Sequence, residues 1–247
     1  GLNVVSGLHQ FLGDEREFVE AAARGKTEIW DVRRVPEDLP VCRMEAAKLK
    51  TLRVATVGSD CNEGKMVTSY EMTLAAKKRG WKAAFIPTGQ TGMMLADGGL
   101  PMDRVISDFL AGAMEMVILR QQEQDVLFIE GQGSINQPLF SCVTLGMLHG
   151  SAPQAMILCH QPTRKVVRYA HRPIPPLPKL RALYEELASL VVPSRVIGIS
   201  LNTFDLSDGD ARRAVQEAEQ EMRLPATDPV RFGVENLLDA VERFRKP

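Results

Sequence analysis

Apolar and polar positions follow two rhythms along this chain, and the switch between them recurs from residue 53 to the end. Short apolar runs at residues 53–57, 82–87, 125–130, 155–160 and 195–201 are bounded by glycine, proline or charged side chains, which predicts strands. Between and after them, apolar residues fall three and four apart over residues 64–79, 103–120, 177–190, 207–222 and 234–244, which predicts helices. Such alternation predicts an α/β fold, a doubly wound, mainly parallel sheet with helices on both faces and ligand loops at the carboxyl ends of the strands, and the glycine-bounded turn before Lys65 after the first strand makes it phosphate-loop NTPase-like. Residues 1–52 read differently, with a short helix over 14–24, a strand candidate in "TEIWDVRRV" and a proline-bounded connection in "VPEDLPV". We take 1–52 as a leading segment that links to an N-terminal domain outside this chain, and 53–247 as the phosphate-loop α/β domain. The proline-rich "HRPIPPLP" predicts a stiff loop.

Each strand end carries a motif. The first strand runs into "VGSDCNEGKM", where Gly58 and Gly64 bound a turn and Lys65 enters a helix. Backbone N–H groups at a helix N-terminus cradle phosphates, and such a lysine reaches their outer oxygens. The expected phosphate-ligand residues are therefore Gly58, Ser59, Asp60, Cys61, Asn62, Glu63, Gly64, Lys65 and Met66. Two features depart from a nucleotide hydrolase: five residues separate the glycines instead of four, and Met66 stands where a hydroxyl would hold Mg²⁺. Asp60 and Glu63 put two acids into a loop for anions, which suits them to face a metal or a protonated amine. The second strand ends in "PTGQTGMM" and the third in "EGQGS". Glu130 closes that third strand, the usual position of a general base or metal ligand, and Gly131 and Gly133 permit close backbone approach. Asn202, after a later strand, is placed to read a purine edge.

Composition narrows the partner. Thirty basic and 31 acidic residues nearly cancel, which argues against nucleic acid or an anionic membrane, and 45% apolar residues supply a core for a chain of 247. The four cysteines are scattered without a C-x-x-C pair, and no apolar run spans a bilayer. A cytoplasmic protein with a small-molecule substrate and no bound metal is expected, and a homo-oligomer.

Gly58, Gly64, Lys65, Thr91, Gly92, Glu130, Gly131 and Asn202 resemble the pattern of dethiobiotin synthetase and its relatives, phosphate-loop ligases that use ATP with Mg²⁺. Ile86 replaces the lysine those ligases carry before the second-strand turn, and Met66 the metal-binding hydroxyl. A closer resemblance runs through "SGLHQFLGD", "WDVRRVPEDLPV", "VGSDCNEGKM", "PTGQTGMM", "EGQGS", "VTLGMLHGSAPQAMILCH" and "IPPLP", which look like the D-glutamate N-acetyltransferase family. That resemblance implies acetyl-CoA as co-substrate and the amine of an acidic amino acid, D-glutamate, as acceptor, in D-amino acid catabolism. Coenzyme A brings a pyrophosphate and a 3'-phosphate without a γ-phosphate to activate, which makes Met66 expected. Glu130 and His149 are then the catalytic candidates. Thr88, Gln90, Thr91, Gly92, Gly131, Gln132, Gly133, Ser134, His160 and Arg164 are the candidates for holding the acceptor, with Lys165, Arg168 and Arg172 as further cations for its carboxylates.

Overall fold

The computed structural model describes residues 1–96 and 98–245; residues 246 and 247, the end of the expected second domain, lie outside them. Near the start, strands β1 (Val4–Ser6) and β2 (Ile29–Asp31) pair in parallel, with helix α1 (Arg16–Gly25) between them. The Asp31 carboxylate fastens this unit by accepting from the backbone N–H groups of Leu12 at 3.0 Å and Gly13 at 2.8 Å.

The main sheet has six strands: β3 (Leu52–Gly58), β4 (Ala83–Ile86), β5 (Val126–Ile129), β6 (Ala155–His160), β7 (Arg195–Leu201) and β8 (Ala226–Thr227). Their order is β4-β5-β3-β6-β7-β8, and every neighbouring pair is parallel. The order reverses at β3, so the loop after β3 opens at the topological switch point, where ligands of open α/β sheets bind. All of β3 and β5 is buried, the physical reason VLFI in β5 is a continuous apolar run and β3 shows no polar alternation, only Arg53 and Thr56 interrupting it.

Helices cover both faces. On one, α2 (Lys65–Lys78) and α8 (Glu235–Arg245) place Met72, Leu237 and Val241 against Val54, Phe128 and Ile157. On the other, α4 (Ser107–Leu119), α5 (Ser141–Ser151), α6 (Leu177–Ser189) and α7 (Asp208–Met222) bring Met114, Leu148, Tyr184 and Met222 onto Leu127, Met156 and Ile199. A four-residue helix, α3 (Gln90–Met93), follows β4. Helix α5 is absent from the periodicity because it packs against α4, α6 and β3 at once and carries no polar stripe. Its Gly150 meets α4 so closely that a Cβ would lie 2.1 Å from the Ala111 carbonyl oxygen.

The Tyr184 hydroxyl ties α6 to the end of β3, donating to the Gly58 carbonyl at 2.8 Å and accepting from the Ile135 N–H at 2.9 Å. Removing it strands both groups in a dry interior, which costs about 1–3 kcal/mol for each group left unpaired. Tyr184→Phe is therefore expected to lower the urea midpoint with an unchanged slope.

Candidate active site

The loop after β3 is shaped by three local constraints. A Cβ on Gly58 would sit 2.8 Å from the Lys65 ammonium, 2.9 Å from Glu63 Oε2 and 3.0 Å from the Asp60 carbonyl, so a side chain there would have to push the two charged groups aside. Asn62 has φ 55°, left-handed backbone that asparagine tolerates, and Gly64 opens α2 at φ 93°. Lys65 is buried and donates from Nζ to the Asp60 carbonyl at 2.7 Å. Cys61 is buried too, and burial pushes its thiol above the usual range, so it is no nucleophile. Met66 lies in the first turn of α2, half-buried, and offers no oxygen ligand there.

The two loop acids do not face outward. Asp60 is fully buried and accepts from the Arg168 backbone N–H at 2.7 Å, from Arg164 at 3.1 Å and from Gln137 at 3.3 Å. It braces the loop against the segment after β6. Arg164 joins the same brace, donating also to the Cys61 carbonyl at 2.6 Å and to Gln161 at 2.6 Å, which uses three of its five N–H groups. Glu63 turns inward instead, accepting from the Asp60 N–H at 2.7 Å and the Ser59 hydroxyl at 2.5 Å.

His160 ends β6 with Nδ1 at 2.7 Å from the same Ser59 hydroxyl. Burial, with Lys165 and Arg164 nearby, holds its imidazole down to about 4, so it is neutral at physiological pH. His149 is elsewhere. It lies in the last turn of α5, its Nε2 3.3 Å from the Leu187 carbonyl. A helix that precedes a parallel strand delivers its C-terminus to the strand's amino end, so His149 occupies the rim opposite the loop, away from Glu130.

Glu130 stands at the carboxyl end of β5. Its Oε2 accepts from the backbone N–H of Thr88 at 2.9 Å and of Gly89 at 3.3 Å, and Gln132 approaches Oε1 at 3.4 Å. Burial raises its carboxyl to about 7, partly offset by those two N–H bonds and by Lys65. Gly92 fits against it because a Cβ there would meet Oε2 at 2.5 Å. Gly131 is pressed onto β3, where a Cβ would lie 1.8 Å from the Thr56 carbonyl oxygen. Gly133 takes φ 54°, and the Gln132 carbonyl beside it is held by Thr144 at 2.7 Å. On α3, Gln90 is half-buried with its side chain against Gly7, and Thr91 is exposed. The Ser134 hydroxyl and the Asn136 side-chain oxygen are buried without a hydrogen-bond partner, while Asn136 Nδ2 donates to the Ser59 carbonyl at 2.9 Å.

Asn202 follows β7, and its side-chain oxygen accepts from the Phe204 N–H at 3.3 Å. It borders a cleft of about 140 Å³ whose wall also includes Gly64, Val67, Phe204 and Val230. Phe204 and Val230 are exposed, at 71% and 78%, an apolar slot beside the helix that opens at Lys65. Neither was singled out by the sequence, because a lone aromatic in a loop has no periodicity to mark it.

A parallel sheet of this order, with a glycine-bounded turn and lysine at its switch point, defines a P-loop α/β protein. The chain belongs to the DUF1611 family. Its residues 40–238 match the C-terminal P-loop domain of unknown function of that family, and residues 1–35 match the Rossmann-like N-terminal domain. It is 38% identical over 98% of its length to a D-glutamate N-acetyltransferase of Tritonibacter scottomollicae, covering 72% of that protein. A D-glutamate N-acetyltransferase of Pseudoalteromonas sp. is 35% identical over 96% of this chain, with 72% of that protein covered. A crystal structure of a DUF1611 family protein from Anabaena variabilis superposes with a TM-score of 0.92 at 42% identity, over 98% of this chain and 71% of that one. A nucleotide-binding protein from Archaeoglobus fulgidus in complex with ADP, 15% identical with a TM-score of 0.52 over 82% of this chain and 93% of its own, shares the fold alone. No helix among the described residues is long and apolar enough to cross a membrane.

Proposed function

We propose that this chain is an N-acetyltransferase that moves an acetyl group from acetyl-CoA to the amine of an acidic amino acid, D-glutamate. The observation that carries this reading is the likeness to two D-glutamate N-acetyltransferases over at least 96% of the chain. The site is compatible with it. The loop and Lys65 would hold coenzyme phosphates, and the Asn202–Phe204–Val230 cleft its adenine. Acetyl-CoA would supply the acyl group. Glu130, with a carboxyl near 7, is suited to take the proton of the acceptor ammonium, and the unpartnered Ser134 hydroxyl can donate to an acceptor or acyl oxygen. Once deprotonated, the amine nitrogen attacks the thioester carbonyl, the C–S bond breaks, and the leaving thiolate takes up a proton.

The test is release of free thiol from acetyl-CoA on addition of D-glutamate, compared with L-glutamate. Thiol release with D-glutamate supports the reading. ADP formation from Mg-ATP with no thiol release would place the chain with the ligases instead. Because Met66 offers no hydroxyl to a metal, activity is expected to survive EDTA undiminished, read in the same thiol assay.

A further inference from the structure

The Glu63 carboxylate lies in the concave face of its own loop. Its side chain is 0% exposed and accepts the Asp60 N–H and the Ser59 hydroxyl, two donors of the kind a phosphate would claim. Glu63 Oε2 and the Lys65 ammonium lie 2.9 Å and 2.8 Å from one point, the position a Cβ on Gly58 would take. The seat therefore contains an anion and a cation that nearly cancel. Around Glu63 stand Lys65 from α2, Arg164 from the segment after β6, and, less closely, Cys159 on β6 and Tyr184 on α6. His160 Nδ1 is 3.8 Å from Oε1 and is neutral. Arg164 is already paired with Asp60. Lys65 is the cation within the seat itself, and Lys165 acts from farther out, beside His160.

We infer that Glu63 is a resident anion that occupies the phosphate seat of the free protein, and that an entering phosphate must displace it or meet it protonated. This deepens the coenzyme reading and rests on the loop being a phosphate site. The residue thereby sets the loop's selectivity. Ligands that push several charges into the seat, such as inorganic pyrophosphate or the triphosphate of ATP, meet like charge, and binding draws a proton onto the protein. Burial disfavours the charged carboxylate and raises its pKa, which favours that uptake.

The experiment is calorimetric titration of the intact chain with inorganic pyrophosphate, and separately with coenzyme A, at pH 7.5 in buffers of different ionisation enthalpy. For the wild type we expect weak pyrophosphate binding with net proton uptake. Glu63→Gln, which keeps an oxygen for the Asp60 N–H, is expected to bind pyrophosphate at least about ten-fold more tightly and to lose the Glu63 share of that uptake. Glu63→Ala, checked for folding by its thermal midpoint, should move the same way. If the wild type binds coenzyme A and both variants bind pyrophosphate no better than it does, Glu63 is a loop brace; the inference falls and the coenzyme reading stands. If no protein binds either ligand, the loop is not a phosphate site, and reading and inference fall together.

Discussion

Glu130→Gln is expected to lower kcat by about 10²- to 10⁴-fold, the usual cost of removing a general base, with coenzyme affinity within a few-fold of the wild type. The substitution is nearly isosteric and keeps one oxygen for the Thr88 and Gly89 N–H groups, so the turn after β4 persists. The pH dependence makes the test specific. With a carboxyl near 7, kcat/KM should rise through about pH 7 as Glu130 loses its proton, and this limb should vanish in the variant. Stability should run the other way. The folded-state value lies above the ordinary 4.5, so the native protein holds more protons between those two values, and stability falls as pH climbs from about 4.5 through 7. The difference is on the order of 3 kcal/mol. Near-normal turnover in Glu130→Gln, with the pH limb intact, would move the base elsewhere in the crevice.

Lys65→Ala should weaken coenzyme A binding by about 1.5–3 kcal/mol, the range for hydrogen bonds to charged groups, or roughly 10- to 150-fold in Kd. Its Nζ now donates to the Asp60 carbonyl, a bond a phosphate oxygen can take over without rebuilding the loop. The deletion leaves Glu63 in the seat with no cation opposite it, so the loss should be larger for ligands of higher charge. Calorimetry with coenzyme A reads the effect. An unchanged Kd would remove the loop from the coenzyme site.

Strands β3, β6 and β7 were legible nearly to the residue, since strands covered on both faces are written as mainly apolar runs without strict alternation. The helix over 207–222 was legible because Ser207 caps it, accepting from the Asp210 N–H. Helix α5 was not, for "SCVTLGMLHGS" is apolar almost all round and carries two glycines; what makes it helical is tertiary, the close fit onto α4. Strand β8 is two residues long and has no pattern to show. The loop and Glu130 could be read because glycine spacing and an acid closing an apolar strand are local signals. The direction in which Asp60, Glu63 and Arg164 point is not local, since it depends on partners up to about a hundred positions away, among them Arg164, Arg168 and Gln137 for Asp60. His149 stands close in sequence to β6, but nearness in sequence does not fix which end of a strand a residue reaches.

The Thr56 hydroxyl sits where three elements meet: 3.2 Å from the Lys65 carbonyl, 3.0 Å from the Ser69 hydroxyl, 3.2 Å from the Ile129 carbonyl, and accepting from the Gly131 N–H at 3.0 Å. It joins the residue that reaches for phosphate to the residues on either side of Glu130. With one proton to give, it shares the Lys65 and Ile129 carbonyls with the Ser69 hydroxyl, 3.0 Å from that of Lys65 and 3.1 Å from that of Ile129, so a coupling between loop and carboxylate has a route through this cluster. Thermodynamic reciprocity then applies: whatever filling the loop does to the proton affinity of Glu130, ionisation of Glu130 does to the loop's hold on its ligand in equal measure. Donor and acceptor would not bind as strangers, though neither need touch the other.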